Sequence, residues 1–279
     1  MEERQISETL ATMILDSGLI ENPRIHRIRK GNSTSLNYCV FSKNMPVAFA
    51  KVYPSKDSRR YEAIRLLKHM GAPFVSPLCD FELSADLHVM LLEWIDFDSL
   101  DVKTASAEEA ANLLKSLQHL PIPSWFQMPS LYSEVQSINR KIEESGVVFD
   151  HYDSILEYLQ ATPDSVDSIK SFVHLDFHLG NIAVFENTLY LIDYENISIS
   201  HPWRDLTYAY LFHQPSENCF WKIFLEAYFQ HETFNNFDRM MQYFCYIQLL
   251  RMILCEKEKH NESMISFLVD SIWSKMPLS

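Results

Sequence analysis

Glycine is scarce, with five in 279 residues, and no flexible linker, low-complexity tract or repeat of fixed period interrupts the chain. Any division into lobes must therefore fall at a short hinge. Cysteine is equally sparse: Cys39, Cys79, Cys219, Cys245 and Cys255 are odd in number, scattered and without a CxxC pair. That pattern excludes a disulfide framework and a structural zinc site, and a reduced, cytoplasmic setting is expected. Long apolar runs are missing too. The start, "MEERQISETL", carries no apolar signal segment, and the most apolar stretch, "MMQYFCYIQLLRMIL", is broken by Gln242, Gln248 and Arg251. The stretch reads as a buried helix, and no membrane association is expected. Cations are outnumbered, 24 Lys and Arg against 37 Asp and Glu, for a net charge of -13. This excludes general nucleic-acid binding and leaves solubility or a cationic ligand as its meaning.

What is present divides into a strand-rich first part and a helical remainder. "SLNYCVFS" and "VAFAKVY", rich in β-branched and aromatic residues, flank the turn-prone "KNMP" and predict a hairpin. "SKDSRRYEAIRLLKHM" predicts a helix that stops at Gly71, and "VSPLCDFEL" and "LHVMLLEWI" predict two more strands. Beyond them Ser106 and Glu109 form a capping box ahead of Ala110, Leu113, Leu114, Leu117 and Leu120. Further helices are predicted over 131–145, 151–161, 216–230, 237–256 and 261–274. The exception is "NIAVFENTLYLID", two short apolar strands around Glu186 and Asn187.

The chemistry concentrates in "FVHLDFHLGN", residues 172–181. On an extended strand His174, Asp176 and His178 would point to one side and suit zinc. Gly180 and Asn181 break that strand at once, and no second HxH or HExxH cluster exists. A different grouping takes Asp176, Asn181 and Asp193, at spacings of five and twelve, with the short hairpin between the last two. Phosphoryl transfer needs such a set: one carboxylate to orient or deprotonate a hydroxyl, and an amide oxygen with a second carboxylate to hold magnesium.

With "HLDFHLGN" followed by "LIDYE", the chain resembles the aminoglycoside phosphotransferase and choline kinase family, relatives of the protein kinases, whose signature is HxDxxxxN and then an Asp after a hairpin. The resemblance implies an α+β, bilobal, protein-kinase-like fold. Residues 1–95 would form a small antiparallel-sheet, nucleotide-binding lobe with one main helix, and 96–279 a larger helical catalytic and substrate-binding lobe. It implies Asp176 as catalytic base, His174 as the motif residue that braces the catalytic loop, and Asn181 and Asp193 as magnesium ligands. His178 falls at a variable position and reads as a bystander. Asp205 in "HPWRDLTYAY" resembles a buried brace.

The first lobe agrees in order. Lys51 in "VAFAKVY" fits the strand cation that pairs with phosphates, and Glu62 fits the helix carboxylate that positions it. An edge strand would also tolerate Lys51, and Glu62 also fits a solvated helix face. Phe49 shares the Lys51 face, roughly 6 to 7 Å along the strand, where it would stack on the purine or belong to the core. The loop "RKGNSTSLNY" fails GxGxxG, but Ser33, Thr34 and Ser35 offer donors to phosphate. "LLEWIDF" would be the hinge, with backbone groups of Glu93 to Ile95 on the adenine edge. Glu195, two residues past Asp193, would support the metal or face a cationic substrate. Trp203, Tyr208, Tyr210 and other C-terminal aromatics suit either a cation-binding pocket or an ordinary core.

The expectation is an ATP-dependent, Mg2+-requiring kinase acting on a hydroxyl of a small cationic molecule, aminoglycoside-, choline- or thiamine-like. The sequence does not separate ATP from GTP. A protein Ser/Thr kinase of the same superfamily is the enzyme alternative, and the eleven residues between Asp193 and Asp205 are few for a peptide-binding segment. A non-catalytic pseudokinase is the other, and Lys51, Asp176, Asn181 and Asp193 count against it.

Overall fold

The computed structural model describes residues 2–28, 36–54, 77–95, 98–99, 106–124, 130–161, 166, 169–186, 188–193, 196–212, 218–230 and 237–276. The chain divides into two compact units: Met1–Leu100 with Gly180–Glu195, and Asp101–Leu179 with Asn196–Ser279. The sequence reading places all of 96–279 in the second lobe. The two divisions differ at 96–100 and at 180–195, where β-pairing of Asp98 opposite Val184 ties the two segments together.

In the first unit, α1 (Glu3–Asp16) precedes five antiparallel strands. These are β1 (Arg24–Ile28), β2 (Leu36–Ser42), β3 (Met45–Pro54), β4 (Pro77–Ser84) and β5 (Leu87–Glu93), in the order β1-β2-β3-β5-β4. The β2–β3 hairpin turns on Lys43 and Asn44, both at positive φ (49° and 69°), the backbone that a two-residue hairpin loop requires. Period two then sorts the faces. Tyr38, Val40, Ala48, Ala50, Val52, Val89 and Leu91 pack with Ile6, Leu10 and Ile14 of α1 into one apolar core. The i, i+4, i+8 spacing of those three α1 residues is in the sequence, yet no helix was predicted before residue 55. The helix predicted over 55–70 lies outside the described residues. A small second sheet, β6 (Asp98–Ser99), β8 (Ile182–Phe185) and β9 (Thr188–Leu191), completes the unit.

In the second unit, α2 (Ala107–Gln118) starts where its cap predicts, with Ser106 Oγ accepting from Glu109 N at 3.2 Å. Then come α3 (Leu131–Ser145), α4 (Tyr152–Gln160), β7 (Ser171–Val173), β10 (Ser198–Ser200), α5 (Thr207–Phe212), α6 (Asn218–Phe229), α7 (Phe237–Glu258) and α8 (Glu262–Lys275). Gly146 closes α3 at φ 66°, in the left-handed conformation that favours glycine. The broken apolar run forms α7, buried on most sides and packed against α3, α4, α5 and α8. No described helix is long and apolar enough to cross a membrane.

Candidate active site

The residues singled out from the sequence lie on both units. In the first, Lys51 sits on β3, which is flanked by β2 and β5, so the edge-strand reading of this lysine is excluded. Its ammonium is almost fully covered and forms an ion pair with the Asp193 carboxylate, 142 residues away in the chain. Lys51 and Phe49 occupy the face of β3 opposite the α1 core, and Phe49 is half-buried and not part of that core. The hairpin brings the other two groups together. Ile182 pairs with Leu191, and Ile192 N donates to Asn181 O at 2.9 Å, so Asn181 is secured one residue from Asp193 at the open end of the ladder.

Asp193 takes a positive φ of 57°, which the sequence does not reveal. An amide oxygen and a carboxylate are hard oxygen donors, and this pair fits Mg2+ better than zinc. No group of three His, Cys, Asp or Glu suited to a metal occurs among the described residues, so the HLDFH zinc reading has no support. Glu93 is exposed and Ile95 half-buried. Glu62, Ser33, Ser35 and Glu195 lie outside the described residues.

In the second unit the loop after β7 is pinned from below. Asp205, 1% exposed, accepts from His174 N at 3.1 Å and from Leu175 N at 2.7 Å, and Gln118 Nε2 adds a third bond at 3.1 Å. Leu175 stands at φ 63°, a costly conformation for a branched residue, and the bond to Asp205 holds it there. Burial pushes the Asp205 carboxyl up to about 6, against the two backbone bonds, Gln118 and nearby Arg204, which all pull it down. Asp205 is thus the brace that the sequence suggested. His174 is fully buried.

Arg204, in the short 3-10 turn Pro202–Leu206, forks onto Glu134 at 2.7 and 2.8 Å and donates to Ser200 Oγ at 3.1 Å. The same turn is capped by His201, whose Nδ1 accepts from Trp203 N at 3.3 Å while its ring packs against Phe244. Burial, with Arg204 adding to it, pushes the His201 imidazole down to about 4.

The pinned loop presents Asp176, whose side chain is 23% exposed. His178 Nε2 lies 3.8 Å from Asp176 Oδ1 and its ring 5.5 Å from that of Tyr208, so the presumed bystander borders the carboxylate. Asp176 and Gln248 both lie close enough to the Tyr208 hydroxyl to act on it. Burial first, and then the Asp176 charge, push the Tyr208 phenol well above its usual range, so it stays protonated. Neither contact was foreseen. The only signal was Gln248 itself, a polar residue interrupting an apolar run.

A model of the phosphotransferase enzyme family matches residues 25–243, a span that includes Lys51, Asp176, Asn181 and Asp193. No curated protein matches the sequence. Among solved structures, a choline kinase from Streptococcus pneumoniae is 18% identical with a TM-score of 0.71, covering 96% of this chain and 98% of that one. Amicoumacin kinase in complex with AMP-PNP, Ca2+ and Ami is 12% identical with a TM-score of 0.68, covering 99% and 97%. Spectinomycin phosphotransferase in complex with ADP and spectinomycin is 16% identical with a TM-score of 0.63, covering 98% and 94%. These likenesses show the fold to be protein-kinase-like, of the α+β class, as the motif implied.

Proposed function

Because the chain belongs to the phosphotransferase enzyme family and is a small-molecule kinase with a hydroxyl acceptor, we propose that it uses ATP and Mg2+ to phosphorylate a cationic alcohol. The observation that carries the nucleotide half is the ion pair between Lys51 and Asp193, two opposite charges brought together from distant parts of the chain. In this reading Lys51 neutralises phosphate oxygens, Asn181 and Asp193 hold the magnesium ion, and Phe49 lies against the nucleobase. Backbone groups of Glu93 to Ile95 meet the adenine edge. Glu62 would position Lys51, Ser33 and Ser35 would donate to phosphate, and Glu195 would support the metal or meet the cation. Magnesium, when bound, offsets the negative charge of the transferring phosphoryl group.

On the other side of the reaction Asp176 accepts the hydrogen bond of the acceptor hydroxyl and aims its oxygen at the γ-phosphorus, taking the proton as the new O–P bond forms and the bond from the γ-phosphorus to the departing ADP breaks. Rigidity matters here, since a base held by a pinned loop loses little freedom on binding. Two features support a cationic acceptor. The net charge is -13, and one structural relative is a choline kinase, whose named substrate carries a quaternary ammonium beside its hydroxyl.

The test is an ATP-consumption screen against choline, ethanolamine, thiamine, neutral sugars and aminoglycosides, with Asp176→Asn as control. Turnover with a cationic alcohol that Asp176→Asn abolishes, at unchanged nucleotide affinity, is the expected result. Activity on a peptide alone would remove the small-molecule reading, and full activity in Asp176→Asn would remove Asp176 as the base.

A further inference from the structure

We propose that Lys51 has a second task besides meeting phosphate: its ion pair with Asp193 holds that carboxylate against bare divalent metal until nucleotide is bound, so that nucleotide precedes metal. The inference deepens the reading above and rests on Asn181 and Asp193 as the metal ligands. One carboxylate is claimed by two cations. Lys51 Nζ lies on Asp193 Oδ1, and Asp193 is the charged member of the proposed metal pair, since Asn181 offers a neutral amide oxygen.

The surroundings of Lys51 make it a strong claimant. On β3 it stands between Asn37 of β2 and the buried Met90 of β5, and Nζ lies 5.7 Å from the centre of the Tyr53 ring. Its side chain is 7% exposed, so water does little for the charge, and separating it from an anion is costly. Asp193 is less enclosed, at 35%, and can take water or metal once the ammonium is withdrawn. Its backbone is held where both cations must come to it. Ile192 N donates to Asn181 O at 2.9 Å, and Asp193 itself stands at φ 57°, in the left-handed region that Asp visits more readily than most residues.

A divalent ion arriving alone would therefore meet an ammonium already on its carboxylate, and like charges at such range repel strongly. Nucleotide phosphate removes the conflict. Its oxygens offer Lys51 another anion, and the exchange leaves Lys51 on phosphate and Asp193 open. Nucleotide and metal then raise each other's affinity by the same factor, as linkage requires.

The experiment measures binding of Mn2+, a stand-in for Mg2+ that takes the same oxygen donors, to the full chain. Water-proton relaxation separates Mn2+ on the protein from Mn2+ on free nucleotide, and no turnover is needed. Without nucleotide, Lys51→Met should bind Mn2+ about 5-fold or more tightly than the wild type, and adding Asp193→Asn should cancel the gain. Lys51→Arg, which keeps a cation, should stay at the wild-type affinity. A saturating non-hydrolysable ATP analogue should then raise Mn2+ affinity much more in the wild type than in Lys51→Met. Equal or weaker Mn2+ binding in a Lys51→Met protein that melts cooperatively overturns the hold on Asp193. Should Lys51→Met fail to fold, Lys51→Gln carries the test with the same two outcomes. The metal ligands are judged separately, with the analogue bound, where Asp193→Asn should weaken Mn2+ binding. Undiminished binding there would remove Asp193 as a ligand and the proposal with it, whereas weakened binding without a gain in Lys51→Met sinks the proposal alone.

Discussion

A lysine covered to this degree on a central strand is costly to hold as a cation, and its ion pair with Asp193 offsets that cost. The pair should behave as one unit. A double-mutant cycle of Lys51→Met and Asp193→Asn, read by chemical denaturation, should give a coupling of about 0.5–3 kcal/mol. Additive single effects would show that the two charges do not depend on each other. Phe49, on the same face as Lys51 and outside the α1 core, has a separate test. If the ring stacks on the base as proposed, Phe49→Ala should weaken nucleotide binding by about 1 kcal/mol or more. An unchanged dissociation constant would leave the ring without a role in binding.

At the scale of elements, the short turn Pro202–Leu206 and its cap bring together His201 and Asp205, two buried groups whose pH effects oppose each other. His201 is neutral when folded until about pH 4, so between about 6.5 and 4 the unfolded chain binds the extra proton and the stability present above 6.5 is lost on acidification. Asp205 has the reverse sign: folded, it takes its proton near 6, so between about 6 and 4 acidification adds stability. Replacing His201 with Gln, which keeps a cap acceptor, removes the first effect alone. Relative to wild type, His201→Gln should gain about 2–3 kcal/mol between pH 7 and 4.5, measured by urea unfolding at each pH. Parallel curves would mean that His201 titrates normally.

The same scale shows what local sequence can and cannot convey. The Ser106 cap, the 43–44 turn and the turn-prone pair Glu186 and Asn187 are signals in neighbouring residues, and the helix and the two strand pairings predicted from them stand where expected. The two-residue β6 and three-residue β7 and β10 have no period to detect, and their partners lie 25 to 86 residues away. Asp176, Asn181 and Asp193 were legible because a motif fixes their spacing. Tyr208 and Gln248 were not, because only the packing of α7 against α5 brings them to the loop.

For the whole molecule, the proposed nucleotide and metal binding links to unfolding. A ligand that binds only the folded protein at about 100 times its dissociation constant adds about 2.7 kcal/mol. In a chain of this size that raises the melting temperature by about 5 °C or more. ATP with Mg2+ should produce this rise, and ATP with a chelator should produce much less, as read by a thermal melt. Equal shifts with and without metal would remove Asn181 and Asp193 as its ligands.

The first unit closes only with Gly180–Glu195, after the chain has left it at residue 100 and supplied 79 residues to the second. Neither unit is therefore a continuous piece of polypeptide, and no single cut separates them intact. An isolated fragment 1–100 would carry Lys51 without Asp193, and β6 without β8. On a ribosome the delay becomes a time: at the usual pace of synthesis the 142 residues from Lys51 to Asp193 take roughly 7–30 s to appear. Until then the sheet must wait with its lysine unmatched by Asp193, so the unit begun first cannot be finished first.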